Sequence, residues 1–251
     1  MTQKQTTEQN YWKQYLRIVQ PTYMENWYEK LKGLTIPSKY FRVPMAEIDP
    51  IITLADGIDK ISDTFNERLN ETIEAVKKAY SCDKVFVRLG SRSPKDNMRD
   101  IDCVRSAKDV FTQFCDSERV LSDLMLAMKN GYEPYIFVRK WVEMKRSMEF
   151  RCFVKDNKLK GISQYFYEER HAILDDDNIR NLIENQAIIL ASIITGHGLF
   201  KNFVFDFHCD PKEKYGLLIE INPWSSWTDP ALFDFATDKF ERYEFRWTKE
   251  L

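Results

Sequence analysis

The sequence predicts an α+β fold with mainly antiparallel sheet, and three observations carry that prediction. Apolar residues recur at helical spacing over 63–80 and again over 178–195. β-rich runs cluster between residues 134 and 165 around a two-residue turn. Two further apolar runs, 202–208 and 216–222, flank a polar turn near the C-terminus. The resulting order is helices, strand, helix, a cluster of strands, helix and a strand pair, which is not the alternation of a doubly wound sheet.

Along the chain, residues 10–43 form a helical lead-in. Tyr11, Trp12, Tyr15 and Leu16 and then Trp27, Tyr28 and Leu31 lie at helical spacing, closed by Gly33 and an extended stretch from Thr35 to Ser38. In 63–80, Phe65, Leu69, Ile73, Val76 and Tyr80 mark an amphipathic helix behind the caps Ser62, Asp63 and Thr64. Lys84–Leu89 alternates as a strand and breaks at Gly90-Ser91-Arg92-Ser93-Pro94. Residues 101–129 return to helical spacing, and Pro134–Val142 is a strand by its β-branched and aromatic content. Met148–Lys155 and Lys158–Tyr165 form a hairpin across Asp156-Asn157, residues that accept positive φ. The 178–195 helix ends at Gly196.

The chain has 251 residues, enough for one domain or two closely joined lobes, and is 43% apolar and 30% charged, a globular composition. With 37 Lys and Arg against 39 Asp and Glu, bulk charge gives no nucleic-acid footprint. Five scattered cysteines without a Cys-x-x-Cys pair fit a reduced, cytoplasmic protein without structural zinc. No stretch reaches the roughly 20 apolar residues of a membrane span. The glycine signatures of dinucleotide-binding and Walker-type loops are missing from the sequence.

One constellation carries chemistry. In Asn202–His208 the two-residue pleat puts Phe203, Phe205 and Phe207 on one face and Asp206 on the other. In Gly216–Asn222 it puts Glu220 and Asn222 on one face and Leu217, Ile219 and Ile221 opposite. If these strands pair antiparallel, Asp206 faces Glu220 and Asn222, a hard-oxygen set suited to Mg²⁺ and nucleotide phosphates. The bland alternative is an ordinary polar sheet face, disfavoured because both strands are too apolar for solvated edges. A second group comprises Glu149 and Arg151, on one face of their strand, with Arg88 and Lys95 bracketing the loop after residue 89. These are candidates for phosphate oxygens, with Glu149 orienting a cation; local salt bridges are an equal alternative. His171, His197 and His208 lack zinc spacing, and Cys152 faces the apolar side of its strand.

Five stretches, KVFVRLGSRSPKD, FVRKWVEM, MEFRCFVKDNKLKGISQ, FVFDF and LIEINPWSSWTDPALF, occur in one order from Lys84 to Phe233. In them the chain resembles the cell division cycle protein 123 family of ATP-grasp-like proteins. The resemblance implies two lobes with a nucleotide cleft between them, residues 1–135 and 136–251, the second carrying the metal site. It implies ATP and Mg²⁺ as cofactors. Asp206, Glu220 and Asn222 would hold the metal, Arg88 and Arg151 would contact phosphates, and Lys95 and Arg139 would be further cofactor-binding residues. Lys140, Trp141 and Val142 would form a hinge against adenine, with Glu143 near the ribose. Arg88 stands where the family commonly has Lys, and Glu220 where it has Asp.

Family members assist assembly of eukaryotic translation initiation factor 2 through its gamma subunit, so the expected role is a Mg-ATP-binding assembly protein. The competing expectation is an ATP-grasp enzyme, a carboxylate-amine ligase or phosphotransferase with an unknown acceptor, between which fold alone cannot choose.

Overall fold

The computed structural model describes residues 3–53, 61–96, 104–213 and 215–250. In chain order its elements are α1 (Gln3–Val19), α2 (Met24–Leu31), β1 (Ser38–Arg42), α3 (Met45–Ile52), α4 (Asp63–Tyr80), β2 (Val85–Leu89), α5 (Ala107–Cys115), α6 (Glu118–Asn130), β3 (Tyr135–Lys140), β4 (Glu149–Lys155), β5 (Lys158–Gln164), α7 (Asp177–Gly196), β6 (Phe203–His208), β7 (Leu217–Pro223) and β8 (Glu244–Arg246). They form two compact units, one of residues 37–142 and one of residues 1–36 with 143–251.

This division differs from a cut at residue 135, for two physical reasons. Thr35 Oγ1 donates to the Leu218 carbonyl at 2.7 Å and Leu218 N–H donates to the Leu34 carbonyl at 2.8 Å, so the lead-in is hydrogen-bonded to β7. Strand β3, which that cut would divide after Tyr135, is the central strand of the 37–142 sheet.

In the 37–142 unit β3 pairs antiparallel with β1 and β2. Alternation turns Phe41, Val85, Val87, Leu89, Ile136 and Val138 to one face, where they share a core with Phe65, Leu69 and Ile73 of α4 and with α5 and α6. Each fully buried apolar side chain contributes about 1.5–3 kcal/mol. Helix α4 starts as its sequence predicts: Ser62 Oγ accepts the Phe65 N–H, and Ser62 itself donates to the buried Glu47 carboxylate.

Two features of this unit depart from expectation. The 101–129 helix is two helices, because Ser117 is an N-cap: its Oγ accepts the Val120 N–H at 3.2 Å and starts α6 afresh. Residues 101–103 lie outside the described residues. Strand β1 lies within the expected helical lead-in, and helix α3 follows it.

The other unit carries a five-stranded sheet in the order β7-β6-β4-β5-β8, antiparallel except for the β5–β8 pairing. The β4–β5 turn takes the left-handed conformation at both Asp156 and Asn157, with φ of 51° and 61°, as its residue types demand. Phe207 packs beside Leu190 of α7 at Gly216, where an added Cβ would stand 2.4 Å from the Phe207 ring. On the opposite face Phe153 and Val204 pack with Phe233 and Phe240, and Trp224 packs against this cluster. The Phe233 ring closes over Gly161, leaving 2.7 Å to a Cβ there, so the position excludes any larger residue without repacking.

Strand β7 is not the uniform alternation its sequence implies. Asp206 opposes Glu220 and Phe207 opposes Leu218, so Ile219 is an inserted bulge residue that moves Leu218 onto the Phe207 face. Glu220 and Asn222, beyond the bulge, keep their predicted face.

Candidate functional site

Three oxygen-bearing side chains meet on β6 and β7. Asp206 is fully buried and directly opposes Glu220, while Asn222 lies one row along, opposite Val204. Asn222 Nδ2 donates at 3.4 Å to both Asp206 Oδ2 and Glu220 Oε1, so its amide bridges the two carboxylates. Turning that amide over would bring its carbonyl oxygen into the same position and complete a hard-oxygen donor set. Among the described residues there is no group of three His, Cys, Asp or Glu side chains for a metal, so such a site here needs the amide.

Arg151 of β4 stands on the other side of Asp206, as the β4–β6 register requires. Its Nε reaches Asp206 Oδ1 and its Nη2 reaches Asp206 Oδ2, each at 2.8 Å, and its Nη1 donates to the Asp229 carbonyl at 2.6 Å. The Tyr165 ring lies 5.0 Å from the guanidinium carbon. Burial opposes the guanidinium charge, but the Asp206 carboxylate outweighs it and holds Arg151 protonated. The expectation for Arg151 was a phosphate contact or a local salt bridge on an exposed face. The structure places it in a buried bidentate pair with Asp206. Glu149, its neighbour on the same face, is buried and opposes His208, one row away.

The remaining candidates lie on the 37–142 unit, apart from Glu143, which begins the second segment of the other unit and is exposed. Arg88 and Arg139 are buried on the sheet face turned away from the helical core, since Arg88 opposes Phe137, two residues from Arg139. Arg88 Nε donates to the Leu89 carbonyl at 3.0 Å and its Nη2 to the Ser91 carbonyl at 3.4 Å, so the side chain braces the loop it introduces. Lys95 is exposed on that loop. Lys140 donates its N–H to the Pro37 carbonyl at 2.9 Å; Trp141 and Val142 are half-buried, and the Lys84 ammonium lies 4.2 Å from the Trp141 ring centroid.

Sequence reasoning missed the Asp229 carbonyl, which reaches Arg151 only through the turn in which Thr228 Oγ1 donates to the Pro223 carbonyl at 2.6 Å. It also missed Asp96, whose carboxylate accepts the Ser117 hydroxyl and the Arg119 N–H at the start of α6. The spacing of Asp96 and Ser117 gave no local signal. The buried thiols offer no ready nucleophile: burial pushes Cys209 up to about 12 and Cys152 well above its ordinary value.

A sequence model of the D123 family matches residues 53–247. The chain is 32% identical over 182 residues to the translation initiation factor eIF2 assembly protein of Dictyostelium discoideum, covering 67% of this chain and 46% of that protein. It is 27% identical over 186 residues to cell division cycle protein 123 of Phaeosphaeria nodorum, covering 68% and 46%. It thus spans about half the length of these curated relatives. Cdc123 from Schizosaccharomyces pombe has the same α+β fold, with a TM-score of 0.77 at 22% identity over 91% of this chain and 96% of that one. Because the family's sequence model covers most of its length, the chain belongs to the D123 family, that of cell division cycle protein 123.

Proposed function

We propose that this chain binds Mg-ATP and acts in the cytoplasm in the assembly of eukaryotic translation initiation factor 2, engaging the factor's gamma subunit. The observation that carries the nucleotide half is the meeting of Asp206, Glu220 and Asn222 on adjacent strands. Two carboxylates and an amide oxygen are the donors Mg²⁺ takes alongside phosphate. Bound Mg²⁺ would neutralise phosphate charge. Arg151 serves this site by fixing the Asp206 carboxylate with two hydrogen bonds. By family resemblance Arg88 contacts phosphate, Lys140, Trp141 and Val142 offer backbone groups to adenine, Glu143 stands near the ribose, and Lys95 and Arg139 are further nucleotide-binding residues.

The assembly half is supported by family membership and by relatives that carry that role in their names. Nucleotide then acts as a conformational ligand, favouring the state that captures the partner. The test is retention of purified gamma subunit by the immobilised chain, with and without Mg-ATP. Retention strengthened by Mg-ATP supports the proposal. No retention in either condition overturns the assembly role.

A further inference from the structure

Asp123 is a buried acid that the proposed nucleotide contacts do not use. It lies on α6 and is 3% exposed. The groups that face it come from three places: Arg119 from its own helix, Arg92 and Ser91 from the loop after β2, and Arg88 from β2 itself. Arg92 Nε is 3.4 Å from Asp123 Oδ1. Asp123 Oδ2 and Ser91 Oγ are both buried short of a formed hydrogen bond, yet Ser91 is near enough for its hydroxyl to favour the Asp123 carboxylate. Buried polar atoms normally find partners, and a small rotation of the serine hydroxyl supplies one here.

The far end of the same loop is tied to the same helix. Asp96 Oδ1 accepts the Ser117 hydroxyl at 2.5 Å and its Oδ2 accepts the Arg119 N–H at 3.0 Å. Between these anchors, Leu89 N–H donates to the Arg92 carbonyl at 3.0 Å and the Arg88 guanidinium reaches the Ser91 carbonyl. The loop is therefore held by α6 through two acids, one exposed at its end and one buried behind its middle.

We infer that Asp123 is a positioning residue for loop 90–96: by holding Arg92 and Ser91 from inside, it fixes the direction in which Arg88 and Lys95 face a phosphate-bearing ligand. The ligand in this statement rests on the nucleotide reading above; the anchoring does not. Burial raises the Asp123 carboxyl above its ordinary range, against the pull of Arg92, Ser91, Arg119 and Arg88. Acid therefore protonates it while exposed carboxylates are still charged, and the Asp123–Arg92 ion pair is lost. The sign for stability is the opposite. A carboxyl raised in the folded state favours folding when protonated, so a neutral isostere removes the anchor without weakening the fold.

The test is Asp123→Asn, read by amide hydrogen exchange of residues 89–96 at neutral pH and at about pH 5, with intrinsic exchange rates corrected. The wild type loses loop protection on acidification. The variant has roughly 10-fold lower protection at neutral pH, shows no further acid loss, and melts no lower than the wild type. Mg-ATP titration of both proteins is the second arm, with affinity in the variant about 10-fold weaker. Wild-type loop protection in the variant, or a loss that simply follows a fall in melting temperature, overturns the inference. If the wild type itself binds no Mg-ATP, the nucleotide reading fails, and the exchange data still decide the role of Asp123.

Discussion

Arg151 and Asp206 form a two-point ion pair across β4 and β6, with both hydrogen bonds at 2.8 Å and both side chains buried. The pair lies beside Glu220, so one residue, Asp206, faces an internal cation on one side and the proposed metal position on the other. Its geometry makes the proposed metal ligand part of the fold.

That double role sets the first prediction. Arg151→Met leaves a buried carboxylate without its cation, and the variant should lose about 3–5 kcal/mol in urea denaturation. Lys155→Ala, at an outer residue of the same strand whose ammonium donates to the Lys239 carbonyl, should change stability by about 0.5 kcal/mol or less. Pairing Arg151→Met with Asp206→Leu should recover most of the loss, since both charges are then gone. Equal effects of the two single variants would mean that the pair contributes no more to stability than an exposed side chain does.

His208 sets the second. Its Nε2 accepts the Lys145 N–H at 3.1 Å, which requires a neutral ring. Burial lowers its pKa from the ordinary 6.5, Asp210 opposes the shift, and Lys145 adds to it. A pKa lowered in the folded state gives stability that is full above 6.5 and is lost as pH falls from there through the lowered value. Denaturation midpoints should therefore drop on acidification below that point in the wild type and drop less in His208→Gln, whose side-chain oxygen can still accept the Lys145 N–H. Identical pH profiles would remove His208 as the cause.

The acidic pair was legible in the sequence because it depends on local rules: period-two alternation and one antiparallel turn, 209–215, between Asp206 and Glu220. The Arg151–Asp206 contact was not, because it spans 55 residues and needs the β4–β6 register, which no turn between those strands specifies. The bulge at Ile219 and the three-residue β8, paired parallel to β5, escaped for the same reason: neither has a signal in its own residues. A single capping serine, Ser117, was enough to divide a helical pattern that looked continuous. The α+β class and the hairpin turn, by contrast, follow from composition and turn chemistry alone.

The most direct test of the account is thermal denaturation of the wild type and of Asn222→Leu with no ligand, with ATP plus a chelator, and with Mg-ATP. Asn222 is the better probe than Asp206, whose removal would also strip Arg151 of its partner. Ligand at 100 times its dissociation constant should stabilise the native state by about 2.7 kcal/mol. The account predicts a wild-type melting temperature that rises most with Mg-ATP, and a variant that folds but loses the magnesium-dependent part of that rise. A wild type that does not respond to Mg-ATP, or a variant that keeps the full magnesium-dependent shift, would contradict it.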